Sequence, residues 1–233
     1  GIHQINAKTD WTIRIDADEY LSPELIEELK NKLTSIPKDV SGIELTRKVL
    51  FKGKWIRFGG FYPIHLLRIW RSGQGICESR LMDEHMILSG GKILRLQENL
   101  IDENLNSIHW WVNKHNNYAR REAADILNQE FSFVETTDLA GVEVGKQAAS
   151  KRKVKNNLYN KLPLGLRSLL YFCFRFFLQL GFLDHPKVWI FHFMQGLWYR
   201  ILVDVNIYEA EKEAAHDPER LKSIIVDKWK IEL

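Results

Sequence analysis

The first half of the chain has apolar and polar positions spaced as in short strands and one helix. Residues 11–16 (Trp-Thr-Ile-Arg-Ile-Asp) predict a strand that ends in an acidic cluster at 16–19. A serine N-cap, a first-turn proline and apolar residues at helical spacing predict a helix over 23–35. Glycine-containing turns separate three further predicted strands, over residues 42–51, 54–62 and 64–70. A βα unit followed by hairpins indicates an α/β domain with a mixed sheet.

The second half has the pattern of helices. A long polar helix is predicted from about Asn106 to Gln129, and the polar, basic residues 130–160 predict a connector. Two very apolar runs follow, at residues 169–183 and 188–203. Neither reaches the ~20 uninterrupted apolar residues of a membrane-spanning helix, so both predict interfacial or buried helices. Amphipathic helices are expected over residues 204–216 and 218–229.

Composition narrows the class of protein. The chain has 233 residues, of which 45% are hydrophobic and 27% charged, which excludes a disordered, collagenous or disulfide-stapled protein. Its two cysteines, Cys77 and Cys173, lie far apart and make neither a metal-binding pattern nor a disulfide framework, which favours a reducing compartment.

The net charge of +3 conceals an uneven distribution along the chain. No Asp or Glu occurs from Val144 to Leu183, whereas that stretch holds eight Lys and Arg residues, so the remainder is net acidic. A basic stretch beside aromatic-rich runs indicates a surface for an anionic membrane, because each cation near such a leaflet adds ~1 kcal/mol. The alternative is that these runs are buried in a dimer interface or against the rest of the protein. Nucleic acid is a less favoured partner, since the sequence has no binding motif for it.

The acidic cluster at 16–19 is the sharpest candidate for chemistry. Its two aspartates, Asp16 and Asp18, can present oxygens to one divalent cation at the end of a strand, where ligands of open α/β sheets bind. Mg²⁺ or Mn²⁺ there would stabilise the charge of a departing nucleotide diphosphate. An acidic surface turn is the alternative, because the Asp-x-Asp pattern is common.

Two later segments carry further candidates. Asp83 and Glu84 follow the β-rich stretch, where a carboxylate can act as a general base toward a hydroxyl group; a solvated loop is the alternative. His109 can bind a metal or a phosphate, and the paired tryptophans after it can stack on a sugar or a base. Aromatic residues on a helix also serve as core, which is the alternative for this segment.

Together these segments resemble the family 2 inverting glycosyltransferases of the GT-A fold. Residues 8–21 (KTDWTIRIDADEYL) resemble the strand and DxD segment of that family, and residues 82–85 (MDEH) resemble its acidic catalytic motif. Residues 108–119 (IHWWVNKHNNYA) follow as in a bacterial subgroup linked to cell-surface polysaccharide and lipopolysaccharide synthesis. The membrane-proximal tail of that subgroup is resembled by residues 181–184 (GFLD), 191–193 (FHF) and 198–200 (WYR).

This resemblance implies a role for each candidate residue. Asp18 and Asp16 would bind a divalent metal, Mg or Mn, and His109 would complete the metal site. Glu84 would be the catalytic base, with Asp83 beside it in the motif. The residues near the acceptor or the diphosphate would be Gly59, Gly60, Tyr62 and Lys114.

The resemblance also implies a domain organisation. Residues 1–130 would be the C-terminal part of a GT-A-like mixed sheet, and residues 131–233 a basic connector and a helical, membrane-proximal extension. A nucleotide-binding first half, on the order of a hundred residues if built from βαβ units, would precede Gly1. Residues 1–233 alone would then be inactive.

The implied function is transfer of a sugar, with inversion, from a nucleotide-sugar to a hydroxyl of a lipid-linked or oligosaccharide acceptor in surface polysaccharide synthesis. The expected location is cytoplasmic, at the inner face of the plasma membrane, without a nucleic-acid partner. The alternative function is a non-catalytic membrane-surface or protein-interaction module derived from such an enzyme.

Overall fold

A mixed sheet is followed along the chain by a set of helices. The computed structural model describes residues 9–77, 86–134 and 159–232. The strands are β1 (Trp11–Ile13), β2 (Glu19–Leu21), β3 (Val40–Phe51), β4 (Lys54–Trp55), β5 (Ile64–Arg71), β6 (Gly75–Cys77), β7 (Met86–Leu88) and β8 (Lys92–Glu103). The helices are α1 (Pro23–Lys32), α2 (Ile108–Phe131), α3 (Leu166–Cys173), α4 (Pro186–Phe193), α5 (Tyr199–Ala214) and α6 (Pro218–Ser223). The predicted combination of a mixed α/β sheet and C-terminal helices is confirmed.

Short helical segments extend or connect these helices. The 3-10 segments are Leu33–Ser35 after α1, Tyr159–Lys161 before α3 and Gly181–Leu183 before α4. The π-helical segments are Phe174–Leu178 after α3, Met194–Trp198 between α4 and α5, and Ile224–Lys228 after α6. The two apolar runs of the sequence therefore lie in two helical segments, residues 166–178 and 186–214, which we call the two rods. A short connection joins them. Within the described ranges, no helix combines the length and the apolar character needed to cross a membrane.

The main sheet has the strand order β1-β5-β3-β8-β2, with β4 added beside β3. Strands β3 and β8 are parallel, and the other neighbouring strands are antiparallel. Strands β1 and β2 are thus opposite ends of the order, although only residues 14–18 separate them. In a flat sheet these strands would lie about 19 Å apart, at ~4.8 Å per strand. The short link contains a tight turn, so the sheet has to curl until its two ends meet.

Helix α1 covers one face of this sheet. The Ser22 hydroxyl caps the helix by accepting from the Leu25 N–H at 3.1 Å, and Pro23 occupies the first turn, as the sequence predicts. Leu25 and Leu29 point from the helix into an apolar core. The strands contribute most of that core, which includes Val40, Ile43, Leu45, Ile69, Leu96 and Leu100.

Helix α2 packs its buried face against the C-terminal helices. Ala119, Ala123 and Leu127 belong to the same apolar cluster as Val203 and Ile207 of α5. A polar contact lies within this packing, because the Glu122 carboxylate accepts from the Tyr199 hydroxyl at 2.7 Å and from Arg200. The long polar helix predicted near 106–129 therefore packs directly against the C-terminal helices.

Several elements differ from the sequence predictions, and the short strands β2 and β6 were not predicted. The strand predicted over 54–62 is only Lys54–Trp55, because the following residues leave the sheet to contact the C-terminal helices. The long strand β8 was not predicted. The helices predicted over 188–203 and 204–216 form one continuous helical run from Pro186 to Ala214, since the π-helical segment joins α4 to α5 without a break.

The buried carboxylate of Asp184 attaches the C-terminal helices to the loop after β4. Its Oδ1 accepts from the Arg57 N–H at 3.0 Å, and its Oδ2 accepts from the Phe58 N–H at 3.2 Å. The His192 Nε2–H of α4 also donates to Asp184 Oδ2, at 2.8 Å, and both side chains are only 2% exposed. One carboxylate thus satisfies two backbone donors and a histidine away from water.

Removing this carboxylate should therefore destabilise the protein strongly. We expect Asp184→Ala to lower the free energy of unfolding by about 3 kcal/mol or more, because the buried His192 and two backbone N–H groups lose their acceptor. Urea denaturation followed by circular dichroism measures the change.

Asp227→Ala is the matched control, because the exposed Asp227 carboxylate accepts only from the Ser223 hydroxyl among the described residues. The control should change the unfolding free energy by no more than ~0.5 kcal/mol. Equal and small effects of the two substitutions would show that Asp184 does not hold the helices.

Candidate functional site

The acidic cluster forms a tight turn where the two ends of the curled sheet meet. The Glu19 N–H donates to the Asp16 carbonyl at 2.9 Å, and the Asp16 N–H donates to Glu19 Oε2 at 3.1 Å. The pairing of β1 continues into this turn, since the Arg14 N–H donates to the Arg68 carbonyl of β5 at 2.9 Å. The strand predicted over residues 11–16 is therefore shorter than predicted and ends at Ile13; the acidic turn follows it, and Glu19 already belongs to β2.

Arg68 of β5 is the counterion of this turn. Its Nη2 lies 2.7 Å from Asp16 Oδ2 and also donates to the buried Glu19 carboxylate. Arg14 contacts the other Asp16 oxygen at 3.4 Å. Burial raises the pKa of Asp16, but the two guanidinium groups outweigh it and hold the pKa below its usual value. Asp16 is therefore an ion-paired carboxylate.

Asp18 differs from its neighbours in the turn. Its carbonyl accepts from the Glu103 N–H at 2.8 Å, which fixes its backbone against the end of β8. Its half-buried carboxylate makes no hydrogen bond or ion pair with any residue that the structure describes. Among the described residues, Asp18 thus has no cationic partner at the meeting point of the sheet ends.

A second carboxylate, Asp102 of β8, lies beside this turn. Asp102 is directly opposite Glu19 in the β2–β8 pairing, and Arg47 Nη1 lies 3.4 Å from its Oδ2. Burial raises the pKa of Asp102 to about 6; Arg47 opposes the shift, whereas the negative charges of Asp18 and Glu19 add to it. Asp102 therefore takes up a proton more readily than an ordinary aspartate.

The fit of this turn to a divalent cation depends on Asp18. In the parts of the chain that the structure covers, no three His, Cys, Asp or Glu side chains are grouped to hold a metal ion. The oxygens of Asp16 are already taken by Arg68 and Arg14. Mg²⁺ is commonly held by one or two carboxylates together with substrate phosphates, and Asp18 fits that kind of site.

His109 and Lys114 lie in the first two turns of α2. His109 is exposed and its Nε2 is 3.1 Å from the Asn113 side-chain nitrogen. The Lys114 ammonium lies 5.0 Å from the centre of the Trp110 ring. Among the described residues, neither side chain has a hydrogen bond or ion pair with Asp16 or Asp18. The structure thus does not bring these α2 residues into contact with the acidic turn.

The aromatic residues of α2 divide between packing and exposure. Trp111 is buried and stacks on His115 with ring centres 3.4 Å apart, and the His115 Nδ1–H donates to the Trp111 carbonyl. Burial lowers the pKa of His115, with Lys114 adding to the effect, so this imidazole is neutral at pH 7. Trp110 remains 40% exposed and is the member of the tryptophan pair that is open to a ligand.

Gly59 and Gly60 form a turn that faces the C-terminal helices. Both have positive φ angles, of 66° and 71°. A Cβ at Gly59 would lie 2.6 Å from His192 Cε1, and one at Gly60 would lie 2.5 Å from Gln179 Oε1. The close approach of these helices accounts for both glycines, whatever further role they have.

Tyr62 lies at the end of the same segment. Its hydroxyl donates to Asn99 Oδ1 at 3.2 Å, and its ring meets Trp55 edge-on at 5.0 Å. The predicted base Glu84 and its neighbour Asp83 lie outside the described residues, between β6 and β7. Their proposed role stays a prediction from the sequence.

Three residues of the site were not predicted, namely Arg47, Arg68 and Asp102. Arg68 is a charged residue in a strand whose neighbours are largely apolar, and that pattern is a signal in the sequence; Arg47 and Asp102 stand beside charged residues and have no such signal. Their partners lie far away in the sequence, because strands distant in the chain bring them together.

Comparison with known proteins does not identify a family for this chain. No protein-family model matches this chain, and no solved structure matches it.

The two aspartates of the turn should respond differently to removal of their charge. We expect Asp16→Asn to lower the free energy of unfolding by about 1 kcal/mol, because it breaks ion pairs to Arg68 and Arg14 at a half-exposed site. Asp18→Asn should cause no loss beyond ~0.5 kcal/mol, because that carboxylate has no partner to lose among the described residues. Urea denaturation of both variants at pH 7 measures the difference. A loss for Asp18→Asn as large as that for Asp16→Asn would contradict this assignment.

Asp102 should make stability fall as the pH rises. Its folded pKa of about 6 exceeds the unfolded value of 3.8, so folding binds a proton that is lost above pH 6. Between pH 4 and 7.5, the unfolding free energy of Asp102→Asn should rise by roughly 2 kcal/mol relative to wild type.

Asp39→Asn is the control for this measurement. The hydrogen bond and charge of Lys92 lower the pKa of the exposed Asp39, so its removal should give a small change of opposite sign. A difference between Asp102→Asn and wild type that does not vary with pH would rule out the shifted pKa.

Proposed function

We propose that the chain carries part of an inverting glycosyltransferase of GT-A type. It would move a sugar from a nucleotide-sugar to a hydroxyl of a lipid-linked or oligosaccharide acceptor during surface polysaccharide synthesis, as the sequence resemblance implies. The observation that carries the proposal is the carboxylate of Asp18, which has no partner in the described part of the chain, in a turn whose other acids are ion-paired. A charge left uncompensated at the end of a sheet favours a cationic ligand there.

Asp18 would hold a divalent cation together with the phosphate oxygens of the donor. Such a cation supplies neutralisation of the charge that develops on the departing diphosphate. Asp16 would contribute by fixing the turn, since its side chain is held by Arg68. Asp102 would remain close enough for its pKa to depend on the charge of Asp18, because the two carboxylates interact.

Glu84 would accept the proton of the acceptor hydroxyl. The hydroxyl oxygen then forms a bond to the anomeric carbon while the bond from that carbon to the diphosphate breaks. The diphosphate leaves with the electron pair of the broken bond, and the proton stays on Glu84. A single displacement of this kind inverts the configuration at the anomeric carbon and needs no Ser or Cys nucleophile.

The role of Glu84 is testable in the natural polypeptide that contains residues 1–233. We expect Glu84→Gln to lower sugar transfer by at least ~100-fold, because the amide cannot accept the proton. A panel of radiolabelled nucleotide-sugars, with Mg²⁺ or Mn²⁺, first identifies the donor. Glu27→Gln on the exposed face of α1 is the matched control and should keep near-normal transfer.

Near-normal transfer by Glu84→Gln would show that Glu84 is not the base. A folded natural polypeptide that transfers no sugar from any donor would overturn the enzymatic proposal. It would leave the alternative of a non-catalytic module, which the apolar surface described next favours.

A further inference from the structure

The C-terminal helices expose a large apolar surface. We call it the apolar face. Its members are Leu164, Leu166, Leu169, Leu170, Phe174, Phe177, Leu178, Leu180, Phe182, Leu183, Trp189, Ile190, Phe193 and Ile201. Exposed apolar residues occur singly on most soluble proteins, whereas a set of this size marks an interaction site.

The apolar face is continuous across two helical rods. On α3 and its π-helical extension, the exposed residues recur at helical spacing and form one stripe. A second stripe on α4 contains Trp189, Ile190 and Phe193. Ring contacts join the rods, since Phe172 lies 6.4 Å from Phe193 and Phe176 lies 6.0 Å from Trp189. The two stripes therefore form a single surface.

The opposite sides of the same rods are attached to the protein. Asp204 of α5 accepts from Arg167 and from the Ser168 hydroxyl at 2.7 Å, which turns that side of α3 inward. Arg175 donates to the Gly59 carbonyl, and its guanidinium lies 3.8 Å from the centre of the Phe61 ring. These contacts hold the inner side of the two rods against the protein, so the apolar face points to the solvent.

The exposed ionisable residues around the apolar face are all basic. From Lys161 to Ile201, each exposed residue that is neither apolar, glycine nor proline is Lys161, His185 or Lys187. The one acid of this range, Asp184, is buried among its donors. A second copy of the chain would add like charges beside Lys161 and Lys187, whereas a negatively charged surface would neutralise the two lysines.

Trp189 has the form of a membrane-interface anchor. Its ring is 44% exposed, and its indole N–H is already satisfied by the carbonyls of Phe182 and Asp184, each at 3.1 Å. Lys187 precedes it by two residues. An amphipathic ring beside a lysine is typical of the boundary between headgroups and acyl chains.

We propose that the apolar face docks on an anionic lipid bilayer, with α3 and α4 lying in the interface. The apolar side chains would enter the boundary of the acyl chains, and Lys161 and Lys187 would meet the lipid phosphates. The segment from Gly59 to Tyr62 lies on the inner side of the same helices, so it would sit about one helix diameter, ~10 Å, from the bilayer. Only the use of that segment for a lipid-linked acceptor rests on the proposed function; the docking does not.

Sedimentation with vesicles tests the docking. The chain of residues 1–233 should bind vesicles of phosphatidylglycerol and phosphatidylethanolamine at least ~10-fold more tightly than vesicles of phosphatidylcholine alone. High salt should weaken binding to the anionic vesicles. Lys187→Glu should weaken it by about 10-fold.

The apolar contribution is tested by a pair of substitutions. Leu178→Ser combined with Ile190→Ser should lower binding by at least ~10-fold, because both side chains are exposed and would leave the lipid. Leu105→Ser is the matched control, since Leu105 is 84% exposed but lies between β8 and α2. Far-UV circular dichroism confirms that each variant is folded.

Two results would overturn the docking proposal. Absence of binding to anionic vesicles by a monomer, as measured by sedimentation equilibrium, shows that the face does not dock on lipid. Absence of binding together with a concentration-dependent dimer that the double variant loses assigns the face to a second copy. Transfer to a soluble acceptor is independent of these outcomes, so loss of docking does not count against the proposed activity.

Discussion

The curled sheet depends on the charge contacts of Arg68. Residues 14–18 contain a tight turn and therefore cannot span the ~19 Å between the two ends of a flat sheet, so β1 and β2 can both form only when those ends meet. Acids from the turn and from β2 are then forced together in a half-buried place. Arg68, which comes from β5, neutralises Asp16 and Glu19 there. Without that guanidinium, the desolvated carboxylates would repel one another and would oppose closure of the sheet.

The same contacts separate two roles within one short acidic motif. Asp16 is bound by guanidinium groups, whereas the carboxylate of Asp18 has no partner among the residues that the structure covers. A motif that looks symmetrical in the sequence is thus asymmetrical in its chemistry. The raised pKa of Asp102 follows first from its burial and then from the neighbouring negative charges, so the free charge of Asp18 is felt across the β2–β8 pairing. A cation bound at Asp18 would relieve that repulsion, which links the proposed site to the stability of the sheet.

The C-terminal helices are rich in apolar residues, yet only one side of them is attached to the rest of the protein. Their inner side combines apolar packing, as at Val188 and Phe191, with buried polar contacts: Asp184 accepts from two backbone N–H groups and His192, and Arg175 donates to the Gly59 carbonyl. Their outer side is left with apolar residues and a few cations. Directional hydrogen bonds therefore determine the orientation of the rods, and burial of the outer surface remains available for a partner.

The sequence by itself determined the local elements of this protein. Capping by Ser22 and Pro23 placed α1, the spacing of apolar residues predicted α2 and the C-terminal helices, and the acidic turn was expected after β1. Those signals lie within a few residues of the element that they predict. Only the tertiary structure decided which acid is free and which is paired, because Arg68 reaches Asp16 from about fifty positions along the chain. It also decided that the chain leaves the sheet after Ile56, since the Arg57 and Phe58 N–H groups donate to Asp184 and the Gly59 N–H donates to the Gln179 carbonyl. Local propensity acts through neighbouring residues, whereas burial and charge pairing depend on the closure of the whole chain.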